Sequence, residues 1–273
     1  MVRCILVPLF ALAVAFSAHA ADVDAFADAK GNIDIAGGTA HIPVMKNAAR
    51  IIMMAHSGIR ITVAGGGSGV GVQKVGEGLV QIGNTGRALK DSEIERYGLA
   101  SFPFAVDGVA AVVNPANPLA ALSREQLADI FSGRVDNWKN VGGNDAPISL
   151  YVREDGSGTR EVFEREALRS GDIASRANVV ASNGAMKIAV SQDANAIGYV
   201  GIGHLDGGLT GIVLDGMVPS QSNAADGSYD VARLLYMNTK GSPEGLVGLF
   251  IDFIYSETGA ECIEAAGYIP TGR

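Results

Sequence analysis

Three segments of the chain combine glycine with hydroxyl side chains. Each follows an apolar run typical of a strand and precedes a run of helical periodicity. A helix start offers unpaired amides and about half a positive charge, and glycine lets an anion approach the backbone. The arrangement predicts an oxyanion site built from Gly37-Gly38-Thr39, from the cluster 65–69 with Ser68, and from Gly156-Ser157-Gly158-Thr159.

Arg153 stands four residues before Ser157, where a predicted strand gives way to a loop. From there an arginine can reach an anion held at the following helix, and its planar fork suits an oxyanion. The alternative is plainer: a lone Gly-Ser or Gly-Thr before a helix is more often a helix cap, and a lone arginine is more often solvated. The oxyanion hypothesis therefore depends on all of these segments acting together.

Patterns of common enzyme sites are missing from the sequence. The cluster 65–71 lacks the G-x-G-x-x-G spacing, no G-x-x-x-x-G-K-[ST] occurs, and neither Ser68 nor Ser157 stands in G-x-S-x-G. His41, His56 and His204 are scattered without the spacing of metal ligands. We therefore expect no enzyme activity, no cofactor and no metal.

The elements that would position these residues alternate along the chain. Short β-branched runs separated by longer helical segments predict an α/β fold with largely parallel sheets. The predicted strands include 33–35, 59–63, 109–113, 148–152 and 197–200.

Several helix boundaries and one loop are also predicted. Ser123 with Gln126 forms a capping box, and Gly133 and Gly267 are helix stops. Ser242-Pro243-Glu244 places a cap and a first-turn proline before the last helix, whose apolar stripe should pack on a sheet. Residues 220–228 read as a surface loop.

The N-terminus predicts export. Arg3 precedes an apolar run that ends in Ala18-His19-Ala20, a signal peptide cleaved after Ala20, and no later run is long enough to span a membrane. Cleavage leaves Cys262, which we expect to be buried. The net charge of −8 argues against a nucleic-acid partner, and no exposed heptad indicates an oligomer, so a monomer is expected.

The ordered motifs resemble the phosphate-binding subunits of bacterial phosphate ABC importers, which are type II periplasmic binding proteins. The resemblance spans nearly the whole mature chain and includes the three glycine segments, Ile82-Gly83-Asn84-Thr85-Gly86-Arg87, and segments 107–115, 127–143, 153–160, 196–200 and 266–270. It implies that the anion is held by Thr39, the Ala40 amide, Ser68, the turn of Asn84, Thr85, Gly86 and Arg87, and by Arg153, Ser157, Gly158 and Thr159. Asp155 would orient Arg153 or accept a proton.

The chain departs from the family at Ala40, where a polar residue is frequent, and at Gly86, where some members carry an aspartate. A carboxylate there would accept the proton of phosphate and leave sulfate facing an unpaired lone pair. Discrimination would then depend on Asp155, Asn84 or another acceptor. Arg87 matches other members, which indicates a subgroup.

The resemblance further implies two lobes, each a mixed, mostly parallel sheet flanked by helices, joined by a two-strand hinge. We expect residues 21–112 with 232–273 in lobe 1 and residues 113–231 in lobe 2. The outward crossing is placed near 109–114 and the return near 231–238.

The function that follows is reversible capture of inorganic phosphate in the periplasm and its delivery to the permease subunits of an ABC importer. Three alternatives stay open at this point: a receptor for sulfate or molybdate, a phosphate-binding sensor or adhesion protein, and a phosphatase built on the same cradle.

Overall fold

The architecture is seen in a computed structural model that describes residues 22–273. The predicted signal peptide, 1–20, lies outside the described residues. Within 22–273 no helix combines the length and apolar character needed to cross a membrane.

The first part of the chain alternates strands with helices. Strand β1 lies between β2 and β3 and pairs with both in parallel, so their carboxyl ends meet at one edge. The elements are β1 (Gly31–Gly37), α1 (Ile42–Ala55), β2 (Ile59–Gly66), α2 (Gly67–Gly76), β3 (Ile82–Thr85) and α3 (Asp91–Tyr97).

The middle of the chain builds a second group of strands on a long strand, β4 (Leu99–Val113). β8 pairs antiparallel with β4 and parallel with β6, and β7 extends the group in parallel. The elements are β5 (Ala121–Leu122), α4 (Arg124–Ser132), β6 (Ser149–Arg153), α5 (Gly158–Val162), β7 (Asn178–Val180), α6 (Asn183–Gln192), β8 (Ala196–Gly201), β9 (Thr210–Gly211), β10 (Val213–Leu214) and α7 (Gln221–Asp226).

The last part of the chain returns to the first. Strand β11 (Ala232–Lys240) pairs antiparallel with both β4 and β3, and the chain ends in α8 (Gly245–Ile254), α9 (Glu257–Ala265) and β12 (Ile269–Pro270). The predicted two-lobed α/β fold with mixed sheets is confirmed. The antiparallel pairs gather at β4 and β11, while the outer strands of each lobe pair in parallel.

The two larger hydrophobic cores correspond to the two lobes, and a smaller cluster around Val72 and Val75 lies in the first lobe. Phe104 and Leu235 pack in the core of the first lobe, whereas Val109 and Val231 pack in the core of the second. β4 therefore passes from one core to the other at residues 106–108, earlier than the expected boundary at 112. The lobe limits themselves stay a prediction, with the packing favouring this earlier crossing.

Local boundary signals explain where several helices begin and end. The Ser123–Gln126 capping box is formed, and Gly133 ends α4 with φ 81°. Residues 220–228, predicted as a loop, instead contain α7, because the Ser220 hydroxyl accepts from the Asn223 amide and caps it.

The C-terminal helices differ from the prediction in one respect. α8 begins after Glu244, whose side chain makes no capping hydrogen bond, so the expected Ser242 cap is wrong. A further helix, α9, follows α8. The apolar face of α8 is buried as expected, with Phe253 packed edge-on against Phe26 at 6.0 Å between ring centroids.

Cys262 on α9 is buried, as expected, and burial raises the pKa of its thiol to about 11. Because the thiolate is the reactive form, the native protein should react very slowly with a thiol reagent at pH 8. Unfolding in urea should restore rapid labelling. Rapid labelling of the native protein would contradict this burial.

Ser123→Ala should lower the free energy of unfolding by about 1 kcal/mol, because the amide of Gln126 loses its capping acceptor. Urea denaturation monitored by circular dichroism measures the change. Ser123→Thr is the matched control, since it keeps a hydroxyl acceptor, and equal destabilisation by both substitutions would show that the cap contributes nothing.

Candidate functional site

A small cavity lies where the carboxyl ends of β1, β2, β3 and β6 meet the starts of the following helical turns. Residues from both lobes form its wall. The lining residues are Gly38, Thr39, Ala40, His41, Gly67, Ser68, Gly86, Arg153, Ser157, Gly158, Thr159 and Arg233. The three glycine segments and Arg153, singled out in the sequence, are thus brought to one place.

Close backbone packing explains the first glycine turn. Gly37 has φ 127°, and a Cβ there would stand 2.3 Å from the carbonyl oxygen of Asn84. The same carbonyl accepts a 2.9 Å hydrogen bond from the Gly38 amide. A side chain at position 37 would push β1 away from β3, so glycine is needed to place Thr39 at the cavity.

The hydroxyls from the first lobe each accept a hydrogen bond from the protein. Thr39 Oγ1 accepts from the amide and the Nδ2 of Asn183, at 3.3 and 3.2 Å, and Asn183 belongs to the second lobe. Ser68 Oγ accepts from the Gly86 amide at 3.0 Å. Because accepting leaves the hydroxyl hydrogen free, both side chains can donate to an anion.

The hydroxyls from the second lobe are arranged in the same way. Ser157 Oγ accepts from the Arg160 amide at 3.3 Å as the cap of α5, and Thr159 Oγ1 accepts from Arg233 Nη1 at 2.8 Å. All four cavity hydroxyls therefore keep a proton to donate.

The Arg153 guanidinium is fully buried and only partly paired. Its Nε and Nη2 donate to the Glu154 carboxylate at 3.0 and 2.8 Å, and to the carbonyls of Val180 and Ala181. Its Nη1 has no hydrogen-bond partner within 22–273. A buried N–H donor without an acceptor is costly, so this cation is suited to an anion in the cavity.

Arg233, on β11, is a cavity residue that the sequence analysis missed. Its Nε and Nη2 donate to Asp107 Oδ2 at 3.1 and 2.7 Å, and Asp107 on β4 is fully buried. The two residues are direct partners in the β4–β11 register. An acid in the middle of one apolar strand and an arginine near the start of another could have indicated this pair.

Three residues predicted at the site, Thr85, Arg87 and Asp155, have side chains engaged elsewhere. Arg87 pairs with Glu93 at 2.7 Å and with Glu161 at 2.9 Å. The Thr85 hydroxyl donates to the carbonyl of Arg87. Within this turn Gly86 alone lines the cavity, so ligand roles for Asn84, Thr85 and Arg87 stay predictions that the geometry does not favour.

Asp155 lies away from the cavity as well. Its side chain is 92% exposed and pairs with Arg160 at 2.6 Å, because the turn directs it to solvent. Glu154 holds Arg153 in its place. The expectation that Asp155 orients Arg153 is therefore corrected.

His41 is neutral at the cavity wall. Burial, followed by the positive charge of Arg233, lowers its pKa from 6.5 to about 3. Its ring lies edge-on to Phe104, with 5.5 Å between centroids. At neutral pH the charges closest to the cavity are therefore those of the arginines and their carboxylate partners.

The fold and the cavity together define a two-lobed, type II periplasmic binding protein. A domain model of the PBP superfamily matches residues 22–258. The chain is also 37% identical over 245 residues to the phosphate-binding protein PstS of Bacillus subtilis, covering 89% of this chain and 81% of that one. It belongs to the PBP superfamily and, within it, to the PstS family.

Solved structures give the same relationship. A substrate-binding protein from Clostridium perfringens with bound phosphate superposes with a TM-score of 0.83 at 32% identity, covering 88% of this chain and all of that one. An ABC-type phosphate transport receptor from Vibrio cholerae superposes with a TM-score of 0.71 at 35% identity, covering 87% and 99% of the two chains.

The buried His41 predicts acid sensitivity. The unfolded chain binds a proton below pH 6.5, whereas the folded chain does so only near pH 3, so this contribution to stability is complete above pH 6.5 and lost as the pH falls. Between pH 6 and pH 4.5 the wild type should lose about 2 kcal/mol more unfolding free energy than His41→Gln. Urea titrations at both pH values test this, and equal losses in the two proteins would contradict it.

Proposed function

We propose that this protein captures inorganic phosphate reversibly in the cavity between its lobes and delivers it to an ABC importer. The observation that carries the proposal is the buried Arg153, which lines a cavity with four hydroxyl donors and whose Nη1 has no partner within residues 22–273. Hydrogen bonds to a charged acceptor are about twice as strong as neutral ones, and a site closed to water strengthens them further. The PstS names of its relatives and the phosphate in the Clostridium perfringens structure support phosphate as the ligand.

Contacts between the lobes support capture by closure. Thr39 is bonded to Asn183, and the Gly69 amide donates to the Gly156 carbonyl at 3.0 Å. The ion pair of Arg87 with Glu161 also joins the lobes, at 2.9 Å. Each of these contacts includes a residue that lines the cavity or directly follows one that does, so release requires breaking these polar bonds while β4 and β11 bend.

The proposal extends to the setting in which the protein acts. The signal-like N-terminus and the binding-protein names of its relatives support a periplasmic, non-enzymatic receptor. We further propose that it acts as a monomer that docks on permease subunits. Co-purification with the cognate permease from detergent extracts tests this role, and a phosphate-binding protein that never associates with a permease would favour a sensor.

Arg153→Ala should weaken phosphate binding at least a hundredfold, about 3 kcal/mol, because the ligand loses a buried charged donor. Isothermal titration calorimetry on protein stripped of phosphate measures the loss. Arg134→Ala is the matched control, because Arg134 is a surface residue, 66% exposed, paired with Asp129. Unchanged affinity in a folded Arg153→Ala protein would mean that the ligand binds elsewhere.

Sulfate is the decisive competitor for the phosphate assignment. Titrations of the wild type with phosphate and sulfate from pH 6 to 8 should give tighter binding of phosphate. Equal affinity for both anions over this range would overturn phosphate as the preferred ligand while leaving an oxyanion receptor in place.

A further inference from the structure

Arg233 lies where β11 crosses between the lobes, and it forms part of the cavity wall. We propose that Arg233, held by Asp107, is a second anion-contacting cation that makes the cavity select tetrahedral oxyanions carrying two negative charges. The inference rests on the oxyanion-binding function proposed above. Beyond that function, it assigns to Arg233 the preference of the cavity for one charge state of the ligand over another.

The two cavity arginines use the same edge of the guanidinium for their carboxylates. Arg153 binds Glu154 through Nε and Nη2, and Arg233 binds Asp107 through Nε and Nη2. Each Nη1 is left on the other side of the group and carries two N–H donors. Arg233 uses one of them for Thr159, at 2.8 Å, and the second is available to a ligand.

Gly86 gives Arg233 its place at the cavity. A Cβ on Gly86 would stand 2.7 Å from Arg233 Nη1, so a side chain at this position would press on the guanidinium. Among residues 22–273, none that lines the cavity is acidic. Both arginines line the cavity whereas Glu154 and Asp107 do not, and each guanidinium interacts more strongly with a doubly charged ligand than with a singly charged one.

Asp107 acts on the ligand through Arg233 and is a positioning residue. Its Oδ2 takes both bonds from Arg233, and its Oδ1 accepts from Gln221 Nε2 at 3.2 Å. Gly201 makes room for this carboxylate, since a Cβ there would lie 2.6 Å from Oδ2. The buried carboxylate offsets the desolvation of Arg233 and aims Nη1 at the cavity.

The first test removes the charge of Arg233 without leaving Asp107 unpaired. The double variant Asp107→Asn/Arg233→Gln keeps hydrogen-bonding groups on both strands. Calorimetry with sulfate and perchlorate compares a doubly with a singly charged tetrahedral anion, neither of which titrates. We expect sulfate affinity to fall about tenfold or more, and perchlorate affinity to fall by a much smaller factor. Equal factors for both anions, or no loss for either, would overturn the proposal.

The second test places a carboxylate against Arg233 from the opposite side. Gly86→Asp and Gly86→Asn differ in charge and hardly in size, so steric effects are common to both. The ratio of sulfate to perchlorate affinity should be about tenfold lower in Gly86→Asp than in Gly86→Asn. Because a carboxylate at position 86 also faces the ligand directly, the comparison is repeated in the Asp107→Asn/Arg233→Gln protein. An equal difference between the two Gly86 variants with and without Arg233 would show that charge at Arg233 does not reach the ligand.

Phosphate titrations on the same proteins separate this inference from the proposed function. If the wild type binds phosphate and the ratio of sulfate to perchlorate affinity is unchanged in the variants, only the proposed role of Arg233 is contradicted. If the wild type binds no phosphate, and the variants lose sulfate affinity more than perchlorate affinity, phosphate is not the ligand and the role of Arg233 is supported.

Discussion

A fully buried guanidinium needs partners that balance its charge. Arg153 is such a group, and its surroundings must supply those partners. Glu154 and two backbone carbonyls satisfy Nε and Nη2, which leaves Nη1 without a partner among the described residues, and Arg153 lines the cavity. The backbone of Arg153 is itself held, since its amide donates to the Tyr199 hydroxyl at 2.9 Å. Strand β6 therefore ends with a buried cation whose Nη1 donors have no acceptor among residues 22–273.

The same requirement recurs at the crossing between the lobes. Asp107 and Arg233 are buried register partners on β4 and β11, the strands that carry the chain from one hydrophobic core to the other. Removing either partner of this ion pair would leave the other as an unpaired buried charge. The pair therefore holds β4 and β11 together at the place where they are expected to bend. Through Thr159, Arg233 also ties the crossing to the second lobe. The crossing between the lobes and the cavity are thus connected by hydrogen bonds.

The hydroxyls complete the cavity because their hydrogens are not used within the protein. Thr39, Ser68, Ser157 and Thr159 each accept from a protein donor, so each keeps its hydroxyl hydrogen to donate to a ligand. Thr39 depends on Asn183 across the cleft, which makes its orientation a property of the closed form. Gly86 supplies no carboxylate, so the proton of a bound phosphate would need a neutral acceptor among the residues that line the cavity.

The sequence by itself determined the α/β class, the three glycine segments and Arg153, because these follow from local periodicity, from helix starts and from motifs contiguous in the chain. It also placed the Ser123 cap and the Gly133 stop. Only the tertiary structure decided that Arg233 lines the cavity while Arg87 and Asp155 do not, and that Glu154 pairs with Arg153. Those outcomes depend on which way a side chain points and on partners up to 126 residues apart, as for Asp107 and Arg233, and a one-dimensional pattern carries no information on either.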